Sequence, residues 1–119
     1  IDASSLAFIN VHGTATPYND EMESIALDRA LLAQVPINGL KGYYGHTMGA
    51  AGVLETIISM RAVDDGVVLP TKGYSSLGVS RNINVSSRLR TTAARSFVKL
   101  LSGFGGCNAA VLMTKGGLK

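Results

Sequence analysis

The sequence predicts an α/β fold in a single domain, built on one buried strand, two helices and a C-terminal hairpin. A short, nearly continuous apolar run, Leu6 to Val11, stops at His12-Gly13 and reads as a strand covered on both faces. Two longer segments, Asn19 to Leu32 and Thr47 to Val63, carry helical spacing. Two strand-like runs, Ser96 to Leu101 and Ala109 to Thr114, flank a glycine-rich turn and give the hairpin signal. The chain has 119 residues, 46% hydrophobic and 16% charged, enough for one small core and far from the composition of disorder.

Each element has its own justification. His12 falls at the carboxyl end of the first strand, where open α/β sheets bind ligands. The Asn19 to Leu32 helix starts on Asn19 or Asp20 as N-cap, with Asp20, Glu21 and Glu23 complementing its dipole. Met22, Ile25, Ala26, Ala30 and Leu31 form its apolar side, and Glu21, Ser24 and Asp28 its wet side. Val35 to Leu40 is a weak strand leading into a glycine-bearing loop, Lys41 to His46. The helix from Thr47 to Val63 has almost no polar face and reads as buried, so Glu55 in its middle needs a cation. Its opening Gly49-Ala50-Ala51-Gly52 permits close approach of another element. Residues 64 to 94 read mostly as loop, with a short run at Val67 to Leu69 and a polar strand candidate at Asn82 to Ser86.

Charge is divided along the chain. Residues 1 to 65 hold eight acids against three bases, and residues 66 to 119 hold eight bases and no acid. A basic face of this kind suits an acidic partner, or is balanced by the acidic half on folding. The stretch Arg81 to Lys99 has only Phe97 as an aromatic, so it lacks the stacking platform of a nucleic-acid binder. No apolar run reaches the roughly 18 residues of a membrane span, and no signal peptide is expected. The single Cys107 fits a reducing compartment, and the cytoplasm is the expected location. The first residue is Ile1, not Met, from which a fragment is expected.

Three glycine-flanked elements end in polar or reactive groups: His12 to Thr16, Lys41 to His46, and Gly103 to Asn108. The strings HGTATP at 12 to 17, KGYYGH at 41 to 46, GAAGVLE at 49 to 55 and GFGGCN at 103 to 108 occur in the order and spacing of one family. Across residues 6 to 114 the chain resembles the C-terminal part of a beta-ketoacyl-acyl-carrier-protein synthase, a condensing enzyme of the thiolase-like superfamily. The resemblance implies the C-terminal half of the thiolase-like fold, a mixed sheet with a buried helix, lacking that half's first strand and helix. An unfilled sheet position with an exposed central edge is then expected, one that invites pairing with another chain.

The resemblance also implies a chemistry, the decarboxylative Claisen condensation of an acyl thioester with malonyl-carrier-protein. His12 and His46 would donate hydrogen bonds to the malonyl thioester oxygen as enolate charge develops. His46, at the start of the second helix, would be kept neutral by the helix dipole. Lys41 and Glu55 match a buried pair that orients the second histidine. Thr14 and Thr16 match threonines that hold the phosphopantetheine arm, and Phe104 matches a gating phenylalanine whose amide completes an oxyanion hole.

No metal and no cofactor are implied beyond that arm. The implied partners are acyl carrier protein and the N-terminal half of the synthase, which carries the nucleophilic cysteine. Nucleic acid and membrane are not implied, and the full-length enzyme is expected to be a homo-oligomer. Cys107 stands where the family usually has Thr and reads as structural, so this chain alone is expected to be inactive. Gly42 stands where Ser is common, Asn19 where Gly is usual, and Ser102 where an aromatic is usual. The alternative is a non-catalytic ketosynthase-like partner or a carrier-protein docking module.

Overall fold

A computed structural model describes residues 2–117. In chain order its elements are β1 (Leu6–Asn10), α1 (Pro17–Arg29), β2 (Ile37–Asn38), α2 (Lys41–Tyr44), α3 (Ala51–Asp64), β3 (Val67–Val68), β4 (Arg90–Thr91), β5 (Ser96–Gly103) and β6 (Cys107–Thr114). A mixed sheet runs β2-β1-β5-β6, with β1 parallel to β2 and to β5, and β5 antiparallel to β6. β3 and β4 form a separate antiparallel pair.

Every residue of β1 is buried, as its apolar run requires, because both faces of the sheet are covered. Leu6 and Ile9 pack with Leu27 of α1, Val35 and Ile37. Ala7 and Phe8 pack with Ala62 and Val63 of α3, Val68 and Phe97. The register slips between Leu6 and Phe8, which breaks strict alternation there, and Phe8 stacks on Phe97 with ring centroids 5.4 Å apart.

Several expectations change. The 41 to 46 segment is not all loop, since its first four residues form α2. Asn82 to Ser86 forms no strand, only an isolated bridge from Val85 to Ile37. Among the described residues no interior sheet position is vacant, because β1 and β5 pair directly, so the open edges are the outer ones, at β2 and β6.

The two long helices also present other faces than their apolar residues suggest. In α1 the buried residues are Glu23, Ser24 and Leu27, while Met22 is exposed, as is Leu31 just beyond the helix. In α3 the buried residues are Ala51, Glu55, Ser59, Ala62 and Val63, while Val53 (67% exposed), Ile57 (57%) and Met60 (45%) face outward. The cause lies on β5. Lys99 attracts Glu55 to the sheet, and Leu101 packs so close to Gly52 that a Cβ there would lie 2.9 Å from its Cδ1. α3 is therefore buried through its small and polar stripe.

Folding also joins the two charged halves. Lys99 meets Glu55, Lys115 meets Asp64 at 3.2 Å, and Arg81 lies 3.7 Å from Asp28. Part of the basic stretch is thus paired internally, and Lys99 is taken off the surface altogether by burial.

Candidate functional site

The site begins where β1 ends. His12 follows the strand by two residues, and Glu23 of α1 holds the turn in place: Oε1 accepts from the His12 N–H at 2.7 Å and Oε2 from the Gly13 N–H at 2.8 Å. Asn19 donates to the same carboxylate at 3.0 Å, and Asp20 accepts from the Thr14 N–H at 3.2 Å. Burial raises the Glu23 carboxyl above the usual range, and these hydrogen bonds oppose that rise. Sequence reasoning assigned Glu23 to the helix dipole. Its spacing behind an HG turn gives no signal of this second use.

Behind His12 lies a buried ionic cluster. Lys41 Nζ donates to the His12 carbonyl and to both oxygens of Glu55, at 3.1 and 3.0 Å. Lys99 Nζ donates to Glu55 Oε1 and to the Val11 carbonyl, each at 3.1 Å. The expected Lys41–Glu55 pair is present, but its outer hydrogen bond runs to His12 and not to the second histidine. Lys99 was missed as a site residue. Its signal was a lysine inside the apolar run Ser96 to Leu101, which needs an anion as much as Glu55 needs a cation.

His46 follows α2 by two residues. Its ring lies edge-to-face with that of His12, centroids 5.4 Å apart. The Met48 N–H donates to His46 Nδ1 at 3.0 Å, which leaves Nε2 as the protonated nitrogen of the neutral ring. α3 does not start at residue 47. A short 3-10 turn, Met48–Ala50, intervenes, so the Met48 amide, more than the dipole of α3, sets the tautomer. Burial is the main cause that lowers the His12 pKa from 6.5 to about 4, with the positive charges of Lys41 and Lys99 adding to it and Glu55 opposing it. His12 is a neutral imidazole at physiological pH.

A cleft of about 720 Å³ opens beside these groups, lined by Thr14, Thr16, Lys41, His46 and the loop from Thr71 to Val79. The Thr14 and Thr16 hydroxyls lie 2.6 Å apart on one wall. Ala15 between them has φ 57, a left-handed conformation that a non-glycine residue pays strain to hold. The structure therefore brings Thr14, Thr16, Lys41 and His46 to the cleft, with His12 against the His46 ring and Glu55 buried on Lys41, neither of them in the lining. Phe104 it does not. That residue stands fully exposed on the β5–β6 turn, outside the cleft lining. Cys107 is an exposed thiol at the start of β6. Among the described residues no three His, Cys, Asp or Glu side chains are grouped to hold a metal ion, and no helix is long and apolar enough to cross a membrane.

Known proteins share this arrangement of chain. A family model described as beta-ketoacyl synthase, C-terminal domain, matches residues 1–75. A putative mitochondrial 3-oxoacyl-[acyl-carrier-protein] synthase of Schizosaccharomyces pombe is 34% identical over 97% of this chain and 29% of its own length. The actinorhodin polyketide putative beta-ketoacyl synthase 1 of Streptomyces coelicolor is 34% identical over 94% of this chain and 25% of its own. Among solved structures, a beta-ketoacyl synthase from Burkholderia phymatum superposes with a TM-score of 0.88 at 29% identity, covering 97% of this chain and 29% of that one. A ketosynthase in complex with its type II polyketide acyl-carrier protein and bound to a hexaketide gives 0.87 at 28% identity, covering 96% and 29%. The chain spans less than a third of the length of these relatives. Matched by that family model over more than half of its length and sharing the fold of these synthases, it belongs to the beta-ketoacyl synthase family, within the C-terminal domain.

Proposed function

We propose that this chain supplies the decarboxylating side of a 3-oxoacyl-acyl-carrier-protein synthase, acting in fatty acid or polyketide synthesis. The observation that carries the reading is the pair of imidazoles, ring centroids 5.4 Å apart, beside a cleft with two threonine hydroxyls on its wall. In the reaction the malonyl C–C bond breaks, carbon dioxide leaves, and the electron pair passes onto the thioester as an enolate. His46 Nε2–H and the His12 imidazole donate to the enolate oxygen. Neutral donors stabilise that charge without protonating and quenching the carbanion. The carbanion then attacks the acyl thioester carbonyl, and the cysteine thiolate that held the acyl group leaves.

Thr14 and Thr16 offer hydroxyl donors and acceptors to the amides of the phosphopantetheine arm of acyl carrier protein. Phe104, on a turn with two left-handed glycines, gates the acyl chain from outside the cleft. The nucleophilic cysteine comes from another part of the synthase, so the chain alone is inactive. The full-length enzyme is a homo-oligomer in a reducing compartment such as the cytoplasm.

His46→Ala in the full-length protein tests this. Loss of one oxyanion donor is expected to slow malonyl-carrier-protein decarboxylation by about 10²- to 10³-fold while acyl transfer to the cysteine continues. Undiminished decarboxylation overturns the role of His46 and favours a non-catalytic binding module.

A further inference from the structure

We propose that Lys99 is a positioning residue for His12: with Lys41 and Glu23 it completes a clamp on both peptide units that flank the His12 Cα. The proposal rests on the reading of His12 as a malonyl-facing group, and it concerns a residue that reading does not use.

The geometry is specific. The peptide unit before His12 consists of the Val11 carbonyl and the His12 N–H, and the unit after it of the His12 carbonyl and the Gly13 N–H. Lys99 donates to the first carbonyl and Lys41 to the second, while Glu23 Oε1 accepts from the first N–H and Oε2 from the second. All four polar groups on the two planes are therefore held by charged side chains of three separate elements, β5, α2 and α1. Each charge matches the end of the peptide dipole it meets, and charge-assisted bonds of this kind are the stronger class. Fixing both planes fixes φ and ψ of His12 and hence the direction of the Cα–Cβ bond from which its imidazole projects.

Lys99 is also more than Glu55 requires. One lysine neutralises one buried carboxylate, and Lys41 already does so. Lys99 has no exposed surface, between Phe97 and Leu101 on a face of β5 turned to α3, and burying an ammonium costs several kcal/mol. The return is the Val11 carbonyl and an excess of cation around the ring. The charged and titratable groups about His12 are Lys41 from α2, Glu55 from α3, Lys99 from β5, Glu23 from α1 and His46 from the segment after α2. Two of these are cations close behind the imidazole, and both oppose its protonation.

The experiment uses the full-length protein with Lys99→Met and Lys99→Arg, reading the His12 titration by NMR of labelled histidine and the decarboxylation of malonyl-carrier-protein against pH. In the unsubstituted protein His12 should titrate near 4, well below 6.5. Lys99→Met leaves the neutral Lys41–Glu55 pair intact, so it is expected to fold. Its His12 midpoint should rise measurably above that of the unsubstituted protein, and kcat should fall about tenfold or more with KM little changed, as loss of aim predicts. An unmoved midpoint with kcat within about twofold of the parent overturns the proposal. Lys99→Arg keeps the charge and should keep the low midpoint, so a midpoint raised to 6.5 in that variant also overturns it. The titration needs no substrate: a Lys99-dependent midpoint in a protein that decarboxylates nothing refutes the synthase reading and leaves the clamp standing.

Discussion

The Met48 N–H donates to His46 Nδ1 at 3.0 Å from a backbone held at φ 54, in the left-handed region. The strain of a non-glycine residue there, of order 1 kcal/mol, sits beside the imidazole whose tautomer it selects. Ala15 repeats the pattern between Thr14 and Thr16.

Met48→Gly should therefore relieve strain and keep the donor. A gain of about 0.5–1 kcal/mol in urea denaturation, with decarboxylation unchanged, is the expected result. Met48→Pro removes the N–H and forbids the φ, and decarboxylation should fall about tenfold or more. Full activity in the proline variant would mean that Nδ1 of His46 needs no partner.

The depressed pKa of His12 links stability to pH. Between 6.5 and about 4 the unfolded chain binds a proton at this residue that the folded chain does not. The contribution is thus present above 6.5 and is lost as pH falls through about 4. Glu23 acts in the opposite sense, because its pKa is raised and its contribution fades as pH rises above the ordinary 4.5. Comparison with His12→Gln isolates the histidine: the melting temperature of the parent should fall relative to the variant on acidification from pH 6.5 to 4. Parallel curves would place the His12 ring in ordinary solvent.

Glu55 is the hub of a three-membered cluster, and this orders the cost of removing its members. Breaking a lone buried pair costs about 3–5 kcal/mol. Lys41→Met leaves Glu55 paired with Lys99, and Lys99→Met leaves it paired with Lys41, so each should cost less than that, about 1–2 kcal/mol. Glu55→Gln strands two buried ammonium groups and should cost about 5 kcal/mol or prevent folding. Urea denaturation of the three variants measures the order, and a Glu55→Gln protein as stable as either lysine variant contradicts it.

The legible parts of this molecule are those where local chemistry and burial agree. Leu6 to Val11 is a strand because an apolar run of that length has one good solution, and His12 at its end follows. The Ser96 to Thr114 hairpin follows from its glycines. What failed to show was which face of each helix turns inward. The near absence of a polar face made the 47 to 63 helix buried all round and Glu55 an exception, yet the sheet offers Glu55 a cation at Lys99 and leaves Val53, Ile57 and Met60 outward. That choice depends on a residue 44 positions away along the chain. Glu23 was hidden for the same reason, since its partners are the backbone N–H groups of a turn and no side-chain pattern announces them.

Gly42 provides the last prediction. A Cβ at this position would run into the Lys72 carbonyl, with the Lys72 Cβ also at 3.4 Å. Tyr43 next to it donates its hydroxyl to the Pro70 carbonyl at 2.7 Å, and Lys72 Nζ lies 5.8 Å from the Tyr43 ring centroid. The loop that forms one wall of the cleft is thus docked on α2 through the absence of a side chain at Gly42. Gly42→Ser, the residue common here in the resembling family, must push that wall away. A loss of about 1–3 kcal/mol is expected, as for other overpacked contacts. The wall carries Lys72 and Gly73 along the cleft, so its shift should change KM for carrier-bound substrates more than kcat. An unchanged melting temperature with unchanged KM would mean that the Lys72 loop yields at no cost and does not shape the cleft.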